Sequence, residues 1–356
     1  MSEKILEVKN LSVGFRSHGK KLNVIRDISL DVYKGETLAI VGESGSGKSV
    51  FTKTFTGMLE ANGFISSGSI LFDGQDLAQL KNNADWLGIR GKRIATIFQD
   101  PMTSLNPLFT IGYQITEVLR LHSKLSKEEA KKEAINLLNK VHIPDAEKRF
   151  HDYPFQYSGG MRQRVVIAIA LACRPEILIC DEPTTALDVT VQAQILQLIK
   201  ELQEEYHWTT IFITHDLGVV ASVADRVAVM YGGQIIEYGT VEDIFYRPAH
   251  PYTWALLSSL PQLGSKEEPL HYITGNPPTF TSEIVGDAFA VRNPYALKID
   301  FIQEPPMFQI SETHSAKTWL LDPRAPKVEK PKIIQNLSEK IDRILKEMNQ
   351  GGKRDE

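Results

Sequence analysis

The chain has 356 residues, 42% hydrophobic and 24% charged, enough for one large domain or two ordinary ones with a substantial core. Forty basic residues against 44 acidic ones leave a net charge of −4, so no basic excess points to nucleic acid. The longest uncharged apolar run, Val165–Cys173, is nine residues, short of the roughly 20 that a membrane-spanning helix needs, and MSEKILEVKN carries charge where a signal peptide has its apolar core.

The first elements read as strands. Val8, Leu11 and Val13 lie in KILEVKNLSVGF, Lys34-Gly35-Glu36 is a turn, and Thr37–Val41 is a short apolar strand. That strand feeds GESGSGKS, Gly42–Ser49, and a helix follows, giving strand, glycine loop, helix. The loop fits G-x-x-x-x-G-K-[ST]. Gly42, Gly45 and Gly47 let the backbone curl, so that the N–H groups of the loop, Ser44 and Ser46 included, face a phosphate chain. The helix that begins there favours the same anion. Lys48 is expected to reach the β- and γ-phosphates of ATP, and the Ser49 hydroxyl to ligate Mg²⁺.

Ile94–Phe98 is another apolar strand, ending at Gln99, a neutral amide able to sense Mg²⁺ and water without adding charge. The chain then turns helical from Ile111 to Val141. Ser126–Glu129 is a capping box, Ala130, Ala134, Leu137, Leu138 and Val141 recur at helical spacing, and Pro144 marks the stop. A second glycine turn, Ser158-Gly159-Gly160, opens an apolar helix from Met161 to Cys173. Glu176–Pro183 is a buried strand with acids at its C-terminal end. Asp181 is placed there to hold Mg²⁺ through water, and Glu182 to polarise the attacking water as general base. Val191, Ile195, Leu198, Ile199 and Leu202 form one face of the next helix. Thr209–Asp216 is a further apolar strand, and His215 at its end reads as a γ-phosphate contact on the edge where parallel strands bind ligands. A hairpin turns around Gly232-Gly233. Buried strands alternating with helices predict an α/β fold with a parallel sheet covered on both faces.

Past Pro261 prolines cluster and periodicity fades, so roughly 262–330 reads as an irregular accessory region. Ile334, Leu337, Ile341, Ile344, Leu345 and Met348 form a helical stripe, expected to pack on its own domain; a subunit contact is the alternative. Cys173 and Cys180, the chain's two cysteines, both read as buried thiols rather than a redox pair, which fits a reducing compartment.

The turn at Ser158 offers a hydroxyl and helix N–H groups, as an anion receptor does. No lysine follows at the P-loop position and no buried strand precedes it. It is expected to serve a nucleotide held by another chain: two such proteins, head to tail, sandwich ATP between the P-loop of one and this turn of the other, and hydrolysis releases the pair.

GESGSGKS, the glutamine of FQDP, YSGGMRQR, ILICDEP, ALD and THD occur in the order and spacing of ABC-type ATPases. About residues 5–260 resemble that family, and the strings match its Walker A, Q-loop, signature, Walker B, D-loop and switch histidine. The resemblance implies a P-loop NTPase fold with a parallel-sheet core, an antiparallel β subdomain and a helical subdomain. It implies that Asp188 couples two sites across a dimer and that Phe15 stacks on adenine. The signature departs from the common pattern at Tyr157, usually leucine, and Met161, usually glutamine. Longer strings, RGKRIATIFQDPMTSLNP, PTTALDVTVQAQIL and HPYTWALLSSLP, resemble the oligopeptide/dipeptide permease ATPases, D-type subunit, as does the C-terminal extension from GNPP to SETHSAKTW. Many members there hold an iron–sulfur cluster on four cysteines. The corresponding positions here are Asp287, Asn293, Asp300 and Thr318, so no cluster is expected.

The resemblance implies an ATPase at the cytoplasmic face of the cell membrane. Its partners would be a sister F-type ATPase, two transmembrane permease subunits and an extracellular peptide-binding lipoprotein, with no nucleic acid. The helical insert, about 101–147, would receive the permeases' coupling helices, linked to the nucleotide by Gln99. The expected division is 1–261, a nucleotide-binding domain whose helical subdomain spans about 101–175; 262–330, the C-terminal extension; and 331–356, an amphipathic helical tail. Cargo stays open between oligopeptides and dipeptides, nickel or glutathione. A soluble ABC ATPase acting on nucleic acid or ribosomes is disfavoured by the missing basic excess, and a subunit that binds ATP without turnover by the presence of Glu182 and His215.

Overall fold

Thr37–Val41 is buried at every position, as an unbroken apolar run in a parallel sheet should be. In the computed structural model, which describes residues 3–17, 19–123, 125–185, 187–260, 273–278, 280 and 284–337, this run is an inner strand of an eight-stranded sheet. Numbered in chain order, the strands are β1 (Lys4–Ser17), β2 (Lys20–Tyr33), β3 (Thr37–Val41), β4 (Gly63–Phe72), β5 (Gln75–Asp76), β6 (Ile94–Ile97), β7 (Ile177–Asp181), β8 (Thr209–Thr214), β9 (Arg226–Tyr231), β10 (Gln234–Thr240), β11 (Phe308–Gln309) and β12 (Ser315–Ala316). The larger sheet runs β11-β12-β10-β9-β3-β8-β7-β6. It is parallel from β9 to β6 and antiparallel beyond. Parallel register brings the ends of β3, β7 and β8 to one edge: Val41 lies opposite Thr214, and Asp181 opposite Ile213.

The smaller sheet, β2-β1-β4-β5, is antiparallel. It shares a core with one side of the larger sheet, Val13 and Phe72 packing in one cluster with Ile40 and Ile213. The helix Lys48–Lys53 is anchored in the same cluster by Phe51. Phe51 meets Phe55 edge to face at 4.9 Å, and burying two such rings contributes roughly 1.5–3 kcal/mol each. The other side of the sheet is covered by the helices Ile111–His122, Lys127–Lys140 and Gly159–Leu171, whose Ile115, Leu138 and Val165 pack with Cys180 and Phe212. The Ser126 capping box forms: the Ser126 N–H donates to Glu129 Oε2 at 2.8 Å and the hydroxyl accepts from the Glu129 N–H at 3.3 Å.

The C-terminal region holds more regular structure than its fading periodicity predicts. β11 and β12 extend the large sheet, yet each is two residues long, too short to leave an alternating pattern. Phe289, Ile333, Ile334 and Leu337 enter a third core with Val229 and Tyr252. The tail begins with the helix Lys332–Gln335; Ile341, Ile344, Leu345 and Met348 lie outside the described residues. Burial pushes the Cys180 thiol well up. Cys173 is only half-buried, because it follows the last turn of its helix where the chain leaves the core, and this corrects the expectation of two buried thiols.

Candidate functional site

The glycine loop leaves β3 and curls through left-handed backbone. Gly42 has φ +152°, and a Cβ there would lie 2.1 Å from the Met230 carbonyl oxygen, so no side chain fits. Gly47 has φ +103°, and a Cβ there would meet side-chain ends, Ile25 Cδ1 at 2.9 Å and Met230 Cε at 3.1 Å, while Ser44 and Gly45 face solvent. Ser46 Oγ is buried with no hydrogen-bond partner among the described residues. Lys48 folds back on its own loop, its Nζ donating to the Gly42 carbonyl at 2.8 Å and the Glu43 carbonyl at 3.0 Å. Burial lowers the Lys48 pKa, opposed by the charges of Glu182, Asp181 and Glu43.

The strand ends bring the remaining groups together. Ser49 Oγ donates to Asp181 Oδ1 at 3.0 Å, and burial raises the Asp181 pKa, that hydrogen bond opposing it. Glu182 follows with a left-handed φ of +48°, a strain of order 1–3 kcal/mol for a non-glycine residue. Its N–H is fixed to the Ile213 carbonyl at 2.9 Å. Its carboxylate accepts from Gln99 Nε2 at 3.1 Å and Thr185 Oγ1 at 3.0 Å, and His215 Nδ1 lies 3.3 Å away. Gln99, Asp181, Glu182 and His215, named from three separate strands, thus meet beside Lys48 and Ser49. Thr185 was missed, since a threonine in EPTT carries no signal of its own.

The second glycine turn stands apart. Ser158 Oγ accepts from the Met161 N–H at 3.3 Å and caps the helix Gly159–Leu171. Ser158 and Gly159 are exposed. A Cβ on Gly160 would come within 2.6 Å of Val191 Cγ1, so this glycine also lets two helices approach. Tyr157, the departure from the usual leucine, is buried, donates its hydroxyl to the Arg149 carbonyl at 2.8 Å, and has its pKa pushed up to about 12 by burial. Asp188 caps the helix Val189–Tyr206 by accepting from the Val191 N–H at 3.0 Å. Among the described residues no hydrogen bond or ion pair joins Ser158 or Asp188 to the Lys48 cluster. Phe15 on β1 has Leu22 and Gly63 as cross-strand partners, whereas the β2 positions bordering the loop are Val24 and Ile25.

The four positions without cysteine are buried, and each tightens a local turn. Asp287, Asn293, Asp300 and Thr318 accept from the N–H groups of Phe289, Tyr295, Leu297 and Leu320. The sequence also gave no hint that the C-terminal region reaches the glycine loop, where Arg292 grips Glu43.

Comparison with known proteins agrees with this geometry. A family model described as ABC transporter matches residues 25–185, and one described as Oligopeptide/dipeptide transporter, C-terminal region, matches residues 236–299. The oligopeptide transport ATP-binding protein AmiE of Streptococcus pneumoniae is 64% identical over 337 residues, 95% of each chain. The dipeptide transport ATP-binding protein DppD of Lactococcus lactis is 59% identical over 327 residues, 92% of this chain and 93% of that one. An ATP-binding cassette solved as a dimer in a post-hydrolysis state with ADP and Pi superposes with a TM-score of 0.59 and 28% identity, over 66% of this chain and 98% of that one. The chain belongs to the ABC transporter ATPases, among the oligopeptide/dipeptide transport ATP-binding proteins.

Proposed function

We propose that this chain is the ATP-hydrolysing subunit of a peptide-importing ABC transporter, energising oligopeptide uptake through two membrane permease subunits. The observation that carries the reading is the grip of Gln99, Thr185 and His215 on Glu182, next to the Ser49–Asp181 pair. In this reading Lys48 exchanges two loop carbonyls for the β- and γ-phosphates of ATP, and the Ser46 hydroxyl, which has no partner among the described residues, and the N–H groups of Ser44, Gly45 and Gly47 take further phosphate oxygens. Ser49 and Asp181 offer oxygen donors only, with Gln99 close by, and these fit Mg²⁺, which supplies charge neutralisation when bound. Glu182 accepts a proton from water as the water oxygen bonds the γ-phosphorus and the bond to the ADP oxygen breaks. His215, whose Nδ1 lies 3.3 Å from the same carboxylate, contacts the γ-phosphate. Phe15 is assigned to the adenine, and no iron–sulfur cluster is assigned.

A sister F-type ATPase completes the site. Ser158, Gly159, Gly160 and Asp188 serve the nucleotide of that partner, a reading supported by Ser158 and Asp188 making local capping bonds and, among the described residues, none to Lys48. The permeases dock on the helical insert, which exposes Met102, Leu108 and Phe109 beside a cleft of about 580 Å³ lined by Trp86, Phe98 and Leu121. Among the described residues no helix is long and apolar enough to cross a membrane, and the chain is assigned to the cytoplasmic face of the membrane as a peripheral subunit. Residues 1–261 are taken as the nucleotide-binding domain, 262–330 as the extension and 331–356 as the tail. An extracellular binding lipoprotein delivers the peptide. Dipeptide uptake is the second reading, favoured by 59% identity to a dipeptide transport protein.

The test is transport by the reconstituted system. ATP-dependent accumulation of labelled longer peptides, lost in Glu182→Gln, is expected. Accumulation of dipeptides alone would move the assignment to the second reading, and uptake unaffected by Glu182→Gln would remove the catalytic assignment.

A further inference from the structure

Arg292 belongs to the C-terminal region, 249 residues from Glu43 in the sequence, and its side chain is 6% exposed. A guanidinium has five N–H donors in a fixed fork, and here each is used. Nε donates to the Thr274 carbonyl at 2.9 Å, Nη1 to Glu43 Oε2 at 2.7 Å and Tyr231 Oη at 3.1 Å, and Nη2 to Glu43 Oε1 at 3.0 Å and the Ile273 carbonyl at 3.4 Å. The two bonds to Glu43 form the bidentate pair that fixes both position and angle.

Glu43 is the first residue after Gly42 in the glycine loop, and it is held at every polar group. Its N–H donates to Tyr252 Oη at 2.9 Å, and its carbonyl accepts from Lys48 Nζ at 3.0 Å and the Ser46 N–H at 3.2 Å. Tyr231 and Tyr252 meet Phe289 of the C-terminal region edge to face, with ring centroids 5.2 and 5.3 Å away, and lie 4.6 Å from each other. A carboxylate beside a phosphate loop carries the same sign of charge as the triphosphate. Left unpaired, it repels the ligand and competes for Lys48. Paired to Arg292, it is neutralised, and the loop backbone it belongs to is braced from behind.

We propose that Arg292 is a positioning residue for nucleotide binding: by neutralising and orienting Glu43 it lets the C-terminal region set the affinity of the glycine loop for the triphosphate. This rests on the reading of Gly42–Ser49 as the ATP site. Arg292 touches no reacting atom, so its loss acts on binding rather than on the chemical step.

The experiment measures MgATP binding and steady-state ATPase kinetics with the full chain. In Arg292→Met, MgATP affinity is expected to fall about tenfold or more, with KM rising and kcat within about threefold of the parent, since truncating one member of a buried charge pair strands the other. Adding Glu43→Gln to that variant removes the stranded charge and recovers most of the affinity, whereas a merely structural latch gives no rescue. Arg292→Lys keeps the charge without the fork and falls between. Should Arg292→Met not fold, Glu43→Gln alone decides: it leaves an unpaired cation beside the phosphates and tightens MgATP binding, more so at low salt. Unchanged affinity in whichever of Arg292→Met and Glu43→Gln is decisive, or a double variant no better than the single, overturns the proposal. Lys48→Ala separates the two readings, because undiminished MgATP binding there removes the loop itself as the ATP site.

Discussion

The two glycine turns of this chain begin alike and end differently. Each opens a helix and each includes serine. The turn at Gly42–Ser49 is crowded: Met230 and Ile25 press on its glycines, Tyr252 and Arg292 hold Glu43, and the ends of three strands bring Asp181, Glu182, Gln99 and His215 to it. The turn at Ser158–Gly160 has its own helix cap and one close helix neighbour, Val191. One turn is built to hold charge in place and surrounded by groups that can act on it. The other has donors and no chemistry of its own, which is the form expected of a surface lent to a neighbour's ligand.

Substitutions can break or sharpen this contrast. The largest effect is expected at Glu182. Glu182→Gln keeps the shape of the carboxylate while removing its basicity, so phosphate release in the assembled transporter should fall by about 10²- to 10⁴-fold with MgATP binding retained; near-parental turnover would exclude Glu182 as the base. Ser158→Arg should leave MgATP binding to the isolated chain unchanged, yet lower ATPase activity of the assembly by about tenfold or more, as oppositely placed donors are lost across the interface. Weakened binding to the isolated chain would show that both turns serve one nucleotide. Gly42→Ala should cost about 1–3 kcal/mol of stability in urea titrations and abolish nucleotide binding, because backbone blocks the new methyl. Gly160→Ala meets only the side chain of Val191, which can shift, so about 1 kcal/mol is expected there. Equal costs at the two glycines would erase the distinction between them.

The last prediction lies outside both turns and controls for general destabilisation. Asp287 Oδ2 is buried without a hydrogen-bond partner among the described residues, and burial pushes this carboxyl up to about 6 from an ordinary 3.8. Between those values the folded chain binds more protons than the unfolded one, so this group makes stability fall as pH rises through that window and stay level above it. Asp287→Asn keeps an acceptor for the Phe289 N–H and should flatten that limb, gaining up to about 2 kcal/mol near neutral pH. A melting-temperature profile that keeps the same slope in the variant would assign the fall to other groups.

Much of the site was legible because its residues sit in short strings whose geometry is local. A glycine loop after a buried strand, an acid pair after another, and a histidine after a third need only the rule that parallel strands share a ligand edge. Thr185 was not legible, since it acts by a turn that brings its hydroxyl back three residues to Glu182. Nor was the Arg292–Glu43 pair, because nothing local marks a partner so far along the chain. The short strands β11 and β12 escaped for a different reason: two residues cannot display a period, and only the pairing of β12 with β10 and of β11 with β12 defines them. Cys173 was misplaced because an apolar run says nothing about which of its residues is the last to leave the core.

The pairing of β12 with β10 sets a lower limit on how far this protein can be shortened. Glu237 on β10 is fully enclosed, and it accepts from the backbone N–H groups of Ala249 and His250 while His314, just before β12, sits 2.8 Å away. A version ending near residue 260 would strip His314 from the enclosed Glu237 side chain and leave a hydrogen-bonding margin bare, an invitation to stray pairing between molecules. What looks in the sequence like a detachable appendage is the selvedge that keeps the cassette's weave from fraying.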